Sequence, residues 1–202
     1  RSLDKIPNSE KFIICRGNYP AKISLATKGR VQDVAQKIVE AFGLVDTPML
    51  IQMKINDEQI HILEFCARTG GGIKYRLLPK VCGFDVVKAV LDLTLGEKPH
   101  VNIKPLNTFI VDEFLYCNPG ILDHTEGFEE LLKDGIIDHY EVYKSAGYQF
   151  DEISSSGDRV AYFSVVADTE AELRRKHQIA ASVVKAVDNK GKDLIRHDII
   201  NI

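Results

Sequence analysis

Met49-Leu50-Ile51-Gln52-Met53-Lys54-Ile55, followed by Ile60-His61-Ile62-Leu63-Glu64-Phe65-Cys66-Ala67-Arg68 and Thr69-Gly70-Gly71-Gly72, decides how this 202-residue chain is read. In the first run the odd positions Met49, Ile51, Met53 and Ile55 are apolar, and the even ones include Gln52 and Lys54. In the second run Leu63, Phe65 and Ala67 are apolar, His61 sits at the edge, and Glu64, Cys66 and Arg68 take the even positions. Alternation with period two marks a strand with one core face and one polar face. Two strands that share a core face pair with equal parity, so their loop must hold an odd number of residues. Asp57-Glu58-Gln59 supplies three. That register sets Gln52 directly across from Glu64, with Cβ atoms about 4.5–5.5 Å apart. One face then gathers Gln52, Lys54, Glu64, Cys66 and Arg68. Oxygen ligands beside cations suit a magnesium–polyphosphate site, because magnesium takes one or two protein oxygens and leaves the rest to water and phosphate. An arginine there can grip phosphate or carboxylate with two N–H groups. Strands also alternate for packing alone; the carboxylate, the arginine and the glycines in close succession single this hairpin out.

Around the hairpin, Phe12–Cys15 and Lys22–Ala26 read as short strands joined by the turn-rich linker Gly17-Asn18-Tyr19-Pro20. Val31, Val34, Ala35, Ile38, Val39 and Phe42 recur at helical spacing and Gly43 follows as a stop. Asp85 caps a second helix whose apolar side carries Val86, Val87, Val90, Leu91 and Leu95, ended by Gly96 and Pro99. After Pro105 the texture changes: Thr108–Tyr116, Asp138–Tyr143 and Val160–Val166 read as strands, with a short helix near Gly127–Lys133. Thr169-Glu170-Ala171-Glu172 is a capping-box pattern opening a last helix to about Val187. The expected fold class is α+β, an antiparallel sheet with helices followed by a smaller β-rich cap, with domains at 1–105 and 106–202.

Ile62-Leu63-Glu64-Phe65-Cys66-Ala67-Arg68-Thr69-Gly70-Gly71-Gly72 resembles the ATP-grasp signature of hydrophobic residues, Glu-x-Asn-x-Arg and often Gly-Gly. In that family a Glu or Gln twelve positions before the Glu completes the site, and here that position is Gln52. The stretch from Val81-Cys82-Gly83-Phe84-Asp85 through Leu95-Gly96-Glu97-Lys98-Pro99 is similar to the family's next element. The resemblance is specific over about residues 31–99; from residue 106 the chain looks like the β-rich C-terminal cap of ATP-grasp amino-acid ligases. Gln at position 52 resembles the carbamoyl-phosphate-synthase branch, whose substrates would be bicarbonate and ammonia or carbamate.

The resemblance implies a carboxylate–amine ligase that uses Mg2+ and ATP and passes through an acyl phosphate. Gln52, Glu64 and Cys66 are the implied metal ligands; Lys54, Glu64 and Arg68 contact the nucleotide, and Arg68 is the implied catalytic cation. The implied partners are small carboxylate and amine substrates, amino acids among them, and a homodimer is among the assemblies the reading allows. Cys66 stands where the family has Asn, and a thiol is a soft, poor magnesium ligand. The second reading is therefore a degenerate ATP-grasp module with a nucleotide-sensing or scaffold role. The chain begins at Arg1 without a methionine and reads as a fragment; the family's nucleotide-gripping lysines and glycine-rich lid would lie upstream, so the isolated fragment is expected to be inactive.

Composition narrows the alternatives. Apolar residues make up 45%, charged residues 27%, and the formal net charge is −3 with Lys and Arg scattered. That balance argues against nucleic acid or an anionic membrane surface as partner. No apolar run approaches the roughly 20 residues of a membrane span, and the N-terminus lacks a signal-peptide pattern. Cys15, Cys66, Cys82 and Cys117 form no Cys-x-x-Cys pair, which argues against structural zinc and a disulfide scaffold. A reducing cytoplasm is the expected compartment. The six histidines show no ligand spacing and read as surface or edge residues. Asp112 and Glu113 read as solvent-facing; Lys74 and Arg76, just after the glycine run, read as surface cations, with binding of a substrate anion as the alternative.

Overall fold

The computed structural model describes residues 1–56 and 59–200. Strands β1 (Ser2–Lys5) and β2 (Ile14–Tyr19) open the chain, followed by α1 (Leu25–Ala41), β3 (Leu50–Asn56), β4 (Gln59–Cys66), α2 (Lys74–Cys82) and α3 (Val86–Thr94). Then come β5 (Phe109–Tyr116), β6 (Gly120–Glu126), α4 (Phe128–Lys133), β7 (His139–Val142), β8 (Gln149–Phe150), β9 (Arg159–Ala167), α5 (Glu170–Val183), β10 (Lys185–Asp188) and α6 (His197–Ile200). The class is α+β with antiparallel sheets.

The chain divides into two compact units: Lys22–Asn107, and Arg1–Ala21 joined with Thr108–Ile202. Residues 1–21, expected in the first lobe, therefore stand with the later strands and enlarge the β-rich part. The cause is backbone pairing. β2 lies along β5, with Arg16 opposite Glu113 and Tyr19 opposite Ile110, and β1 pairs with β2. Gly17-Asn18-Tyr19, expected as linker, completes β2. Gly17 is a strand glycine because another side chain crosses it. A Cβ there would collide with the Arg1 guanidinium, which passes over to meet Asp112 at 3.2 Å.

The β-rich unit carries a five-stranded sheet ordered β1-β2-β5-β9-β7 and a three-stranded sheet ordered β10-β6-β8. Its core gathers Val111, Leu115, Phe163 and Val165 from the first sheet, Leu122 and Ala186 from the second, and Ala180 and Ala181 from α5. Thr169 caps α5 by accepting a hydrogen bond from the Glu172 N–H at 3.2 Å. The helix stops at Val183, short of the expected Val187. Ala186 and Val187 are buried, and β10 hydrogen-bonds along β6, so tertiary pairing overrides helical continuation.

In the other unit, the Ser24 hydroxyl accepts from the Thr27 N–H at 3.0 Å and starts α1 at Leu25, where a strand over Lys22–Ala26 was expected. An N-cap side chain outweighs weak strand propensity there. β3 and β4 form a two-stranded antiparallel hairpin, and the Phe42 and Phe65 rings meet in a T-shaped contact at 4.7 Å between centroids. Helix α2 contains Pro79, and Gly83 with φ 69° ends it. The Cys82 and Val81 carbonyls at that end accept from the Lys104 and Leu106 N–H groups at 3.0 and 2.9 Å. Asp85 caps α3 by accepting from the Lys88 N–H at 2.9 Å. Among the described residues no helix is long and apolar enough to cross a membrane.

Candidate functional site

Gln52 lies directly across from Glu64, as the spacing predicts, but the hairpin reaches that register by another route. Gln59 is no loop residue: it pairs with Asn56, and Ile55, Lys54 and Met53 then pair with Ile60, His61 and Ile62. The other two expected loop residues, Asp57 and Glu58, lie outside the described residues. A register shift follows between Met53 and Gln52, where Leu63 is the extra residue on β4. Beyond it Gln52, Ile51 and Leu50 face Glu64, Phe65 and Cys66. This is a β-bulge, which reverses the side-chain phase of one strand relative to the other.

With the bulge counted, one face carries Leu50, Gln52 and Lys54 from β3 and His61, Glu64 and Cys66 from β4, with Leu50 directly across from Cys66. The opposite face carries Ile51, Met53, Ile55, Ile60, Ile62 and Phe65, the last against Phe42. Glu64, Lys54 and His61 are exposed, whereas Gln52 and Cys66 are half-buried. His61, expected at the edge with the apolar parity, thus joins the polar face. The sequence held a signal for this: Ile62 and Leu63 are adjacent apolar residues, which a single alternating strand does not explain.

Arg68 falls outside the pattern. β4 ends at Cys66, so strand alternation gives no side for Arg68, and its Nη1 donates to the Thr69 carbonyl at 2.8 Å. The glycine run is built unevenly. A Cβ at Gly70 would collide with the Lys74 stem and come within 3.2 Å of Leu50, while Gly71 faces open space and Gly72 has φ +67°. Lys74 Nζ donates to the Gly71 carbonyl at 3.1 Å, closing the turn into α2. Arg76 Nε donates to the Tyr75 hydroxyl at 3.0 Å, a surface interaction of the expected kind.

Asp112 and Glu113, expected to face solvent, are buried. Neighbours on a strand face opposite ways, and each has found a cation: Asp112 meets Arg1, and Glu113 meets Arg16 at 2.6 Å. His177 from α5 reaches the same Glu113 Oε2 at 2.8 Å, so one histidine read as a surface residue is part of a buried cluster. Among the described residues no three His, Cys, Asp or Glu side chains lie close enough together to cage a metal unaided.

Residues 113–187 match the family described as L-amino acid ligase C-terminal domain 2. No curated protein matches the sequence significantly. Among solved structures, the chain is similar to a phosphoribosylglycinamide synthetase from Anaerococcus prevotii, with TM-score 0.78 at 15% identity, covering 92% of this chain and 48% of that one. An L-amino acid ligase from Bacillus licheniformis gives TM-score 0.79 at 14% identity, covering 90% and 46%. A biotin carboxylase–β,γ-ATP complex from Campylobacter jejuni gives TM-score 0.65 at 14% identity, covering 93% and 41%. These relatives are ATP-grasp proteins, and the chain has their fold. It spans about half the length of the first two.

Proposed function

We propose that the chain is part of an ATP-dependent carboxylate–amine ligase of the ADP-forming kind, with its phosphate-side ion site on the polar face of the β3–β4 hairpin. The observation that carries this reading is the pairing of Gln52 with Glu64 on one face, next to Lys54 and Cys66. The donor chemistry fits magnesium in part. Glu64 and Gln52 offer one anionic and one neutral oxygen donor, the number magnesium takes from protein when phosphate and water supply the rest. Cys66 does not fit, because its sulfur is soft. Bound there, magnesium would supply charge neutralisation for the phosphates.

In this reading the substrate carboxylate attacks the γ-phosphorus of ATP, giving an acyl phosphate and ADP. The amine then displaces phosphate, leaving the amide. Glu64 holds negative charge where the ion must sit, and Lys54 on the same face offers an N–H cation to the phosphates. Arg68 can serve as a phosphoryl or carboxylate clamp once its guanidinium leaves the Thr69 carbonyl; its exposure makes that a rotamer change at low cost. The family match over residues 113–187 supports amino acids as the substrate class. The scaffold alternative is favoured by one observation, the thiol at position 66.

The test is amine-dependent ADP release by the protein that carries this chain. Glu64→Gln removes charge where charge is transferred, and turnover should fall on the order of a hundredfold or more. Absence of amine-dependent ADP release in the folded wild type, with no further change in Glu64→Gln, would favour the scaffold.

A further inference from the structure

We propose that the β-rich unit carries a ligand site of its own, on the face of the five-stranded sheet away from its core, which binds an α-amino acid through Asp112, Ser164 and His139. All three residues belong to this unit, so the inference does not depend on the hairpin reading.

The register of the sheet assembles the site. Gly17, Asp112, Ser164 and His139 are direct partners across β2, β5, β9 and β7, so they form one row on one face. Their strand neighbours Val111, Phe163 and Val165 point the other way, into the core. Beside the row, on its own face, stand Phe114 and Tyr162 with ring centroids 5.9 Å apart, and Tyr162 lies 5.8 Å from the His139 ring. A line of polar groups thus crosses a face that is otherwise largely aromatic and apolar.

Ser164 is the residue that points to a ligand. It is 8% exposed, and its hydroxyl makes no hydrogen bond with any described residue. A buried hydroxyl without a hydrogen bond is destabilising, and native chains seldom keep one. Its neighbours on the row carry complementary chemistry. On one side stands the Asp112 carboxylate, held by Arg1 at 3.2 Å. On the other stands His139, whose Nε2 lies 3.4 Å from Glu141. Two strand spacings, roughly 9–10 Å, separate β5 from β7. That span suits an α-amino acid with its ammonium between Asp112 and the Ser164 oxygen and its carboxylate on a ring N–H of His139. Two other readings fail on the same geometry. A serine nucleophile needs a base bonded to its hydroxyl, and Ser164 has none. A metal cage needs converging ligands, and no three His, Cys, Asp or Glu side chains among the described residues converge.

Saturation-transfer NMR of the 202-residue chain with a mixture of the standard L-amino acids at millimolar concentration tests this without reference to turnover. At least one amino acid should bind. Its N-acetyl and methyl-ester derivatives should each bind about tenfold more weakly or worse, the loss of one hydrogen bond to a charged group. Ser164→Ala should weaken binding by a similar factor and leave the melting temperature at or above that of wild type, because the hydroxyl makes no bond within the chain. His139→Phe, which keeps a ring at that place, should also weaken binding about tenfold. No bound amino acid, equal binding of a blocked derivative, or unchanged binding in folded Ser164→Ala would each overturn the proposal. So would a clear fall in the melting temperature of Ser164→Ala, since the hydroxyl would then be bonded within the chain. Ser164-dependent binding in a protein without amine-dependent ADP release would leave this site standing and remove the ligase reading.

Discussion

Arg16→Met should be the most destabilising single polar-to-apolar change in the β-rich unit. Glu113 is completely buried, and its Oε2 accepts from Arg16 at 2.6 Å and from His177 at 2.8 Å. No described residue donates to its Oε1. Arg16 also donates through Nη2 to the Ile200 carbonyl at 2.5 Å, tying α6 to β2. Removing the arginine leaves a buried carboxylate held by His177 alone and an orphaned backbone carbonyl. Breaking a buried ion pair from one side costs about 3–5 kcal/mol, which for a protein of this size lowers the melting temperature by about 6–20 °C. His177→Ala, which leaves the arginine in place, should cost about 1–3 kcal/mol. Adding Glu113→Leu to Arg16→Met removes the stranded charge and should restore most of the loss. Because the chain has two compact units and no tryptophan, the loss is best read locally, from hydrogen exchange of the β5 amides. An Arg16→Met loss below about 1 kcal/mol would mean that the carboxylate is not charged and buried as argued.

Two further outcomes follow from local geometry. Gly70→Ala must push aside the Lys74 stem and press on Leu50, so it should disturb the turn after β4 and lower the melting temperature, while Gly71→Ala, facing open space, should leave the stability within about 0.5 kcal/mol of wild type; equal effects of the two would mean that the Lys74 stem does not pack on Gly70. Asp158 Oδ2 accepts from the Ser154 and Ser155 N–H groups at 2.7 and 2.8 Å, and the Ser154 bond foremost holds its carboxyl below the usual aspartate range. The stabilisation it provides is therefore present above the ordinary aspartate pKa and lost as pH falls through the lowered one, so in acid titration wild type and Asp158→Asn should converge in stability at the acid end and diverge above it.

The hydrophobic pattern made some elements legible and hid others. β5, β9 and β7 read correctly because their runs are long or bounded by turns, and α3 and α5 announced themselves through Asp85 and Thr169. β6 was missed because only Leu122 in it is buried, which leaves no alternation to see. α2 was missed because Pro79 reads as a helix breaker, yet in a nine-residue helix it interrupts little. Asp112 and Glu113 misled for a different reason. A charged pair in an apolar strand looks like a solvent face, and only the distant partners Arg1, Arg16 and His177 reveal otherwise. Long-range ion pairing leaves no local trace in a sequence.

The bulge at Leu63 is what brings Gln52 and Glu64 to one face of the hairpin. If the register that pairs Asn56 with Gln59 continued unbroken, Glu64 would sit across from Ile51, and Gln52 across from Leu63. Gln52 and Glu64 would then point to opposite sides of the hairpin, and Phe65 would lose the face on which it meets Phe42. The extra residue restores both at once: Phe65 returns to the apolar side, and Glu64 and Cys66 align with Gln52. Leu63 itself stays about half exposed, at 53%, a poor place for a leucine on packing grounds alone. Its position makes sense as the cost of re-aiming Glu64 and Cys66 onto the face of Gln52, and bulges re-aim side chains in this way. Equal parity with a three-residue loop gives the same Gln52–Glu64 pair only because two departures offset each other in phase: Asn56 pairs with Gln59, one residue earlier than that loop implies, and Leu63 adds one residue on β4. The adjacent apolar Ile62 and Leu63 mark the two phases of β4.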